Sequence, residues 1–120
     1  MLVQNGQNAV LDQINKKLWG RTLSTGMYTW RSGIGITKNG DLLFAVGNNL
    51  TPSTLADALI LAGAQSAMQL DINPGWVRFN FFEPLGSGTY STSTLTKGLK
   101  DGSSQYLNGY NKDFFYLTKT

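Results

Sequence analysis

The residues best placed for chemistry lie between Ser66 and Phe82, SAMQLDINPGWVRFNFF. An apolar run from Ala67 to Leu70 delivers Asp71 at its end, and Asn73-Pro74-Gly75 then turns the chain. Pro fixes φ and Gly accepts positive φ, so this triplet reads as a tight turn. A second run, Trp76 to Phe82, puts Val77, Phe79 and Phe81 on one face and Trp76, Arg78 and Asn80 on the other. A carboxylate at a strand end, beside a turn and an arginine, can donate or accept a proton. It can equally cap the turn through an Asx-type hydrogen bond.

A second candidate is Arg31. In Met27 to Thr37, Tyr28, Trp30, Ile34 and Ile36 alternate with Arg31, Gly33 and Gly35. Two glycines beside one arginine leave a face bare of side chains. A ligand could approach there, or a neighbouring element could pack.

Composition narrows the chemistry. The chain has 120 residues, no Cys and no His, which excludes disulfides, His-dependent triads and Cys/His zinc sites. Catalysis would fall to Asp, Glu, Lys, Arg, Tyr, Ser or Thr. Charged residues make up 14%, against roughly 25% in typical domains, so the surface is polar rather than ionic. A net charge of +3, scattered apart from Lys16-Lys17, gives no case for nucleic acid. No apolar run reaches the ~20 residues of a membrane span, and Met1 to Gly20 lacks a signal-peptide pattern.

These residues need a scaffold, and the spacing predicts one α+β domain over residues 1–120: an antiparallel or mixed sheet with one main helix packed on it. Asn5-Gly6 marks an early turn. Leu11 to Gly26 reads as loop with at most one helical turn. Met27 to Thr37 is a strand, Lys38-Asn39-Gly40-Asp41 a hairpin turn of type I′, and Leu42 to Val46 a returning strand. That returning strand is apolar on both faces, which predicts a central position. Thr51-Pro52 opens a helix whose stripe is Leu55, Leu59 and Ala62 with Ala56 and Ile60, and Gly63 ends it. Glu83-Pro84 should end the Trp76 to Phe82 strand. Leu85 to Ser104 reads as loop with a short helix near Leu95 to Leu99, and Phe114 to Thr118 as a closing strand.

The blocks Arg31-Ser-Gly-Ile-Gly-Ile-Thr-Lys-Asn-Gly-Asp-Leu-Leu-Phe44, Leu50-Thr…Leu55-Ala-Asp-Ala-Leu59…Ala62-Gly-Ala64 and Ala67-Met-Gln-Leu-Asp-Ile-Asn73 resemble the phosphodiester glycosidase family. Asp113-Phe-Phe-Tyr-Leu-Thr118 looks like the end of a bacterial branch of it. The resemblance covers Trp30 to Phe82 well and the termini more loosely. Two features depart from the family. Its aspartate is usually followed by a Gly- and Ser-rich turn, where this chain has Ile72-Asn-Pro-Gly-Trp76. Its front half carries an Asn-Gly-Gly-Phe-Phe-type segment that is absent here, so the chain resembles the C-terminal half of the family domain.

The resemblance implies hydrolysis of a sugar-1-phosphodiester on a secreted or cell-surface glycan. Arg31 would hold the phosphate through its planar guanidinium, and Asp71 would be general acid/base or orient water or a divalent cation. Asn73, Ser32 and Arg78 would bind substrate. Glu83 is unsuited as a second carboxylate: at ~3.3 Å per residue it would lie on the order of 20 Å from Asp71, beyond the ~5–10 Å that glycosidases use. The alternative is a non-catalytic structural or glycan-binding module that keeps the fold. In either case the chain is expected to pair with copies of itself, as a dimer or filament, or with a missing N-terminal half.

Overall fold

The computed structural model describes residues 1–120, the side chain of Ser103 apart. Its main body is a five-stranded antiparallel sheet built from β1 (Val3–Gln4), β2 (Gln7–Asn8), β3 (Thr29–Thr37), β4 (Leu42–Leu50) and β5 (Ala64–Ile72), in the order β2-β1-β5-β3-β4. A one-turn helix α1 (Lys16–Trp19) and the main helix α2 (Pro52–Leu61) complete this body. The expected α+β class is the one observed, with every strand pairing antiparallel.

Each element follows from local chemistry. Asn5 and Gly6 both take positive φ, at 52° and 73°, and close the β1–β2 hairpin. The β3–β4 turn differs from the type I′ expectation: Gly40 alone takes positive φ, at 91°, and Thr37 holds both the amide and the carboxylate of Asp41 through its hydroxyl. Thr51 caps α2, exchanging side-chain-to-backbone bonds with Thr54 in a reciprocal box, and Pro52 occupies the first turn where no amide is needed. Leu55, Ala56 and Leu59 of α2 are buried against Leu2, Val3, Ala64 and Ala67, and Trp19 joins them from α1.

α2 lies on the Gly33/Gly35 face of β3. A Cβ added at Gly33 would stand 3.1 Å from Leu2 Cδ1, Leu59 Cδ1 and the Met68 carbonyl oxygen. The bare face is therefore filled by ordinary helix-on-sheet packing. β4 is an edge strand, in contrast to the central place its two apolar faces suggested. Leu43 and Ala45 face the core under α2, while Phe44 meets the Phe79 ring at 4.6 Å on the other side.

Beyond β5 the sequence-based expectations miss more. The second hairpin is β6 (Asn80–Gly86) with β7 (Thr89–Thr94), a separate two-stranded ribbon. Its first strand begins four residues later than expected and runs through Pro84, which sits opposite Tyr90. Each strand of a two-stranded ribbon has a free edge, so a missing amide costs little there. β7 replaces much of the expected loop. No helix forms over Leu95 to Leu99, and a short α3 (Ser103–Leu107) forms after it. Phe114 to Thr118 is irregular and exposed, with Phe115 at 77% and Tyr116 at 79%. Few apolar contacts hold this half, and Val77 and Leu99 are its buried hydrophobics. The radius of gyration, 15.4 Å, exceeds the about 13.6 Å of a compact chain this long because the half is spread out.

Candidate functional site

Arg31 is the largest fully buried side chain, 1% exposed. It stands near the end of β3, where a bulge separates its rung from that of Thr29. Its Nε donates to the Leu50 carbonyl at 3.0 Å, Nη1 to the Trp19 carbonyl at 3.3 Å and to Gln69 Oε1 at 2.8 Å, and Nη2 to the Met27 carbonyl at 2.8 Å. Those bonds use four of the five N–H groups of a guanidinium. Gln69 is held in turn by a bond from Nε2 to the Trp19 carbonyl, 3.1 Å. Arg31 thus ties β4, β5 and the loop around α1 together. Burial lowers its pKa from the ordinary arginine value, and no carboxylate contributes to the shift.

The same guanidinium lines a cavity of about 190 Å³ with Gln13, Lys16, Trp19, Thr22 and Met27. Gln13 Oε1 is buried there without a hydrogen-bond partner. A buried cation with a free N–H and a lysine make a cavity suited to an anion, whereas the orphan Gln13 Oε1 is an acceptor and would favour an anion only with its amide reversed.

Asp71 lies elsewhere. The expected site required the Arg31 and Asp71 side chains to share one concave region, and the ladder separates them. Between the rungs Gly33–Gln69 and Arg31–Ile72, β5 carries an extra residue. Leu70 and Asp71 both oppose Ser32 at this bulge, so Asp71 leaves on the Ser32 face while Arg31 leaves on the α2 face. Asp71 is exposed and is the penultimate residue of β5, near the strand's end as expected. Its carbonyl accepts the Ser32 hydroxyl at 2.8 Å, which commits Ser32 to the backbone.

Asn73 is 8% exposed and bonded through both ends of its side-chain amide. Its Oδ1 accepts from the Leu23 amide at 2.9 Å and the Thr29 hydroxyl at 3.2 Å, and its Nδ2 donates to the Arg21 carbonyl at 2.9 Å. At φ 78° it uses the left-handed conformation that Asn tolerates. It clasps residues 21–29 to the end of β5, so the side-chain capping expected of Asp71 is supplied by Asn73. Arg78 reaches the Lys100 carbonyl at 3.4 Å and presses against Gly102. It shares its surroundings with Tyr106, whose phenol is raised above the usual tyrosine value: burial raises it, Arg78 lowers it, and Tyr110 and Asp71 raise it further. Asp71 and Arg78 therefore both act on Tyr106, in opposite directions, whereas Arg31 does not. The tail closes over this region, with Lys112 Nζ 3.0 Å from the centre of the Trp76 ring.

Sequence reasoning missed Gln13, Lys16, Trp19 and Gln69 around Arg31, and Tyr106 beside Asp71. These residues come from distant parts of the chain, and all four of Arg31's acceptors are main-chain or amide oxygens that no residue pattern advertises. Among the described residues, no group of three or more Asp, Glu, His or Cys gathers to hold a metal ion, and no helix is long and apolar enough to cross a membrane.

The architecture is that of an α+β domain with a buried arginine beside a small cavity of mixed polar and apolar lining. The phosphodiester glycosidase family matches residues 1–71, more than half of the chain, and the chain belongs to that family. The matched part holds β1 through all but the last residue of β5, the Arg31 cavity and Asp71. Arg78, Tyr106 and the β6–β7 ribbon lie beyond it. No curated protein and no solved structure matches the chain.

Proposed function

We propose that the chain acts on a sugar-1-phosphodiester of a secreted or cell-surface glycan, as a hydrolase of its family, with the phosphate seated over Arg31. The observation that supports this reading most is the Arg31 cavity. It offers a buried cation without a carboxylate, one remaining N–H, Lys16 at the wall and the unpartnered Gln13 amide. With its amide reversed, Gln13 would turn an N–H₂ toward a phosphate oxygen. Asp71 leaves on the other face of the sheet, out of reach of a phosphate seated over Arg31, so on this reading proton transfer falls to a group on the cavity side, with Lys16 at its wall.

The separation of Arg31 from Asp71 by the thickness of the sheet favours a second reading: a module that binds a phosphorylated glycan without turning it over. The two readings part in one experiment. The chain is titrated with inorganic phosphate and with an aryl sugar-1-phosphodiester, and release of the aryl alcohol is followed. Hydrolysis by the parent chain that falls by about 10²–10⁴ in Lys16→Ala, the span of a lost general acid/base, and persists in Asp71→Asn supports the enzyme. Binding that weakens in Gln13→Ala and Lys16→Ala, with no turnover in the parent chain, supports the module. Phosphate binding unchanged in both cavity variants would sink the Arg31 assignment in either form.

A further inference from the structure

We infer that the outer edge of β4 is a pairing edge for a second copy of this chain, joined antiparallel about Phe44. This inference stands apart from the functional reading above.

The five-stranded sheet ends in β2 on one side and β4 on the other. β2 has two residues, whereas β4 has nine, Leu42-Leu-Phe-Ala-Val-Gly-Asn-Asn-Leu50, none of them charged. Natural edges are guarded by shortness, by charge, by proline or by bulges. β4 is guarded only at its ends. Asp41 and Lys38 lie in the turn before it, and between its rungs at Gly47 and Leu50 the strand bulges through Asn48 and Asn49, the latter at φ 58°. The stretch Leu42–Gly47 between these guards keeps a regular ladder on its inner side. Among the described residues no strand pairs with its outer side.

Such an edge calls for a β-strand, and the charge pattern selects a copy in antiparallel order. In a parallel pair in register, Asp41 would stand against Asp41. Antiparallel about Phe44, Asp41 meets Gly47 and Lys38 meets Leu50, so no like charges meet. The faces restrict the register further. A two-fold axis normal to the sheet keeps both α2 helices on one side, and opposed residues must then share a face. This holds when the two residue numbers add to an even sum. Centred on Phe44, the sum is 88. Leu42 meets Val46 and Phe44 meets Phe44 on the face away from α2, and Leu43 meets Ala45 beneath it. The two Phe44 rings would extend an aromatic stack already formed by Phe44, Phe79 and Phe81, at 4.6 and 5.2 Å. The contact is isologous and closes as a dimer.

The chain has no cysteine, so single cysteines report the contact without background. Opposed Cα atoms in an antiparallel pair lie about 4.5–5.5 Å apart, within the about 4.4–6.8 Å that a disulfide spans. An equimolar mixture of Leu42→Cys and Val46→Cys chains, oxidised at micromolar concentration, should form linked heterodimers. The rate should exceed that of Leu11→Cys by about 100-fold, because pairing raises the local thiol concentration. Leu11 is 78% exposed and follows β2 on the opposite edge, so it reads random collision. Neither β4 variant alone should link as fast as the mixture. The unmodified chain should sediment as a dimer of the 13.1 kDa protomer. A monodisperse 13.1 kDa species, or β4 cysteines that link no faster than Leu11→Cys, would overturn the inference.

Discussion

The two faces of β3 teach opposite lessons about what a side chain's absence means. The face carrying Gly33 and Gly35 is the drier of the two, because Leu2 and Leu59 come within contact of the glycine backbone. The face carrying Ile34 and Ile36 is richer in apolar side chains and yet wetter: Ile36 is 46% exposed, and its neighbours Met68 and Leu42 are 48% and 49% exposed. A gap in a strand's side chains is a volume for the nearest amphipathic element. Here α2 follows β4 after one residue and takes it. Large side chains protrude instead and hold the next layer off.

The largest test of this difference is Arg31, the cation that shares the α2 face with the glycines. Arg31→Met leaves the Leu50 and Met27 carbonyls and Gln69 Oε1 without their donor, while the Trp19 carbonyl keeps its bond from Gln69 Nε2. Each buried acceptor so orphaned costs about 1–3 kcal/mol. With water from the cavity satisfying part of the set, a loss of about 3 kcal/mol in urea unfolding is expected. Arg78→Met, on the other face with one long bond to Lys100, should stay within about 0.5 kcal/mol. Equal losses in the two variants would erase the distinction between a clamp and a surface arginine.

Next in size are the glycines themselves. Gly33→Val forces a side chain against Leu2, Leu59 and the Met68 carbonyl, and overpacking of this kind costs about 1–3 kcal/mol. Ile36→Thr on the wet face should cost about 0.5 kcal/mol or less. A Gly33→Val chain as stable as the parent would mean that α2 does not press on the sheet as described.

How much of this was legible in the sequence follows the same divide. β3, β4, α2 and β5 were readable because period-two alternation, Thr51-Pro52 and Gly63 are local signals whose tertiary contacts agree with them. The five-stranded order was hidden, since Val3 and Gln4 join β5 through a hairpin too short to show a pattern. β4 was misjudged as central because two apolar faces speak of cover above and below, and say nothing about neighbours in the sheet. Beyond Ile72 the local signals weaken. Thr89 to Thr94 pairs along a ribbon that buries little, so composition favoured a loop. At the site, Arg31 and Asp71 were both visible as residues worth attention. The extra residue at Leu70-Asp71 was not, and that bulge alone sends the two side chains to opposite faces.

A smaller effect is expected at the α2 cap. Thr51→Ala removes the acceptor for the Thr54 amide and half of the reciprocal box, costing about 1 kcal/mol. Thr51→Ser should retain most of it. Identical losses in the two variants would show that the methyl group, buried beside Leu55, matters more than the hydroxyl.

The smallest effect lies on the wet face and concerns protons. Burial, Tyr110 and Asp71 together hold the Tyr106 phenol neutral beyond the usual tyrosine range, against the opposing pull of Arg78. The unfolded chain releases that proton at about pH 10, before the folded chain does. Between the two values the folded state binds more protons than the unfolded one, so stability falls as pH rises. Below the unfolded value Tyr106 is neutral in both states and contributes no slope. Tyr106→Phe should therefore leave stability at neutral pH within about 0.5 kcal/mol of the parent and flatten its decline above pH 10. Removing Asp71 as Asp71→Asn takes away one of the charges that resist phenolate formation, so tyrosinate absorbance should appear at lower pH than in the parent. A tyrosine titration that Asp71→Asn leaves unmoved would show that the carboxylate and the phenol do not face a common space, and would remove Tyr106 from the neighbourhood of Asp71.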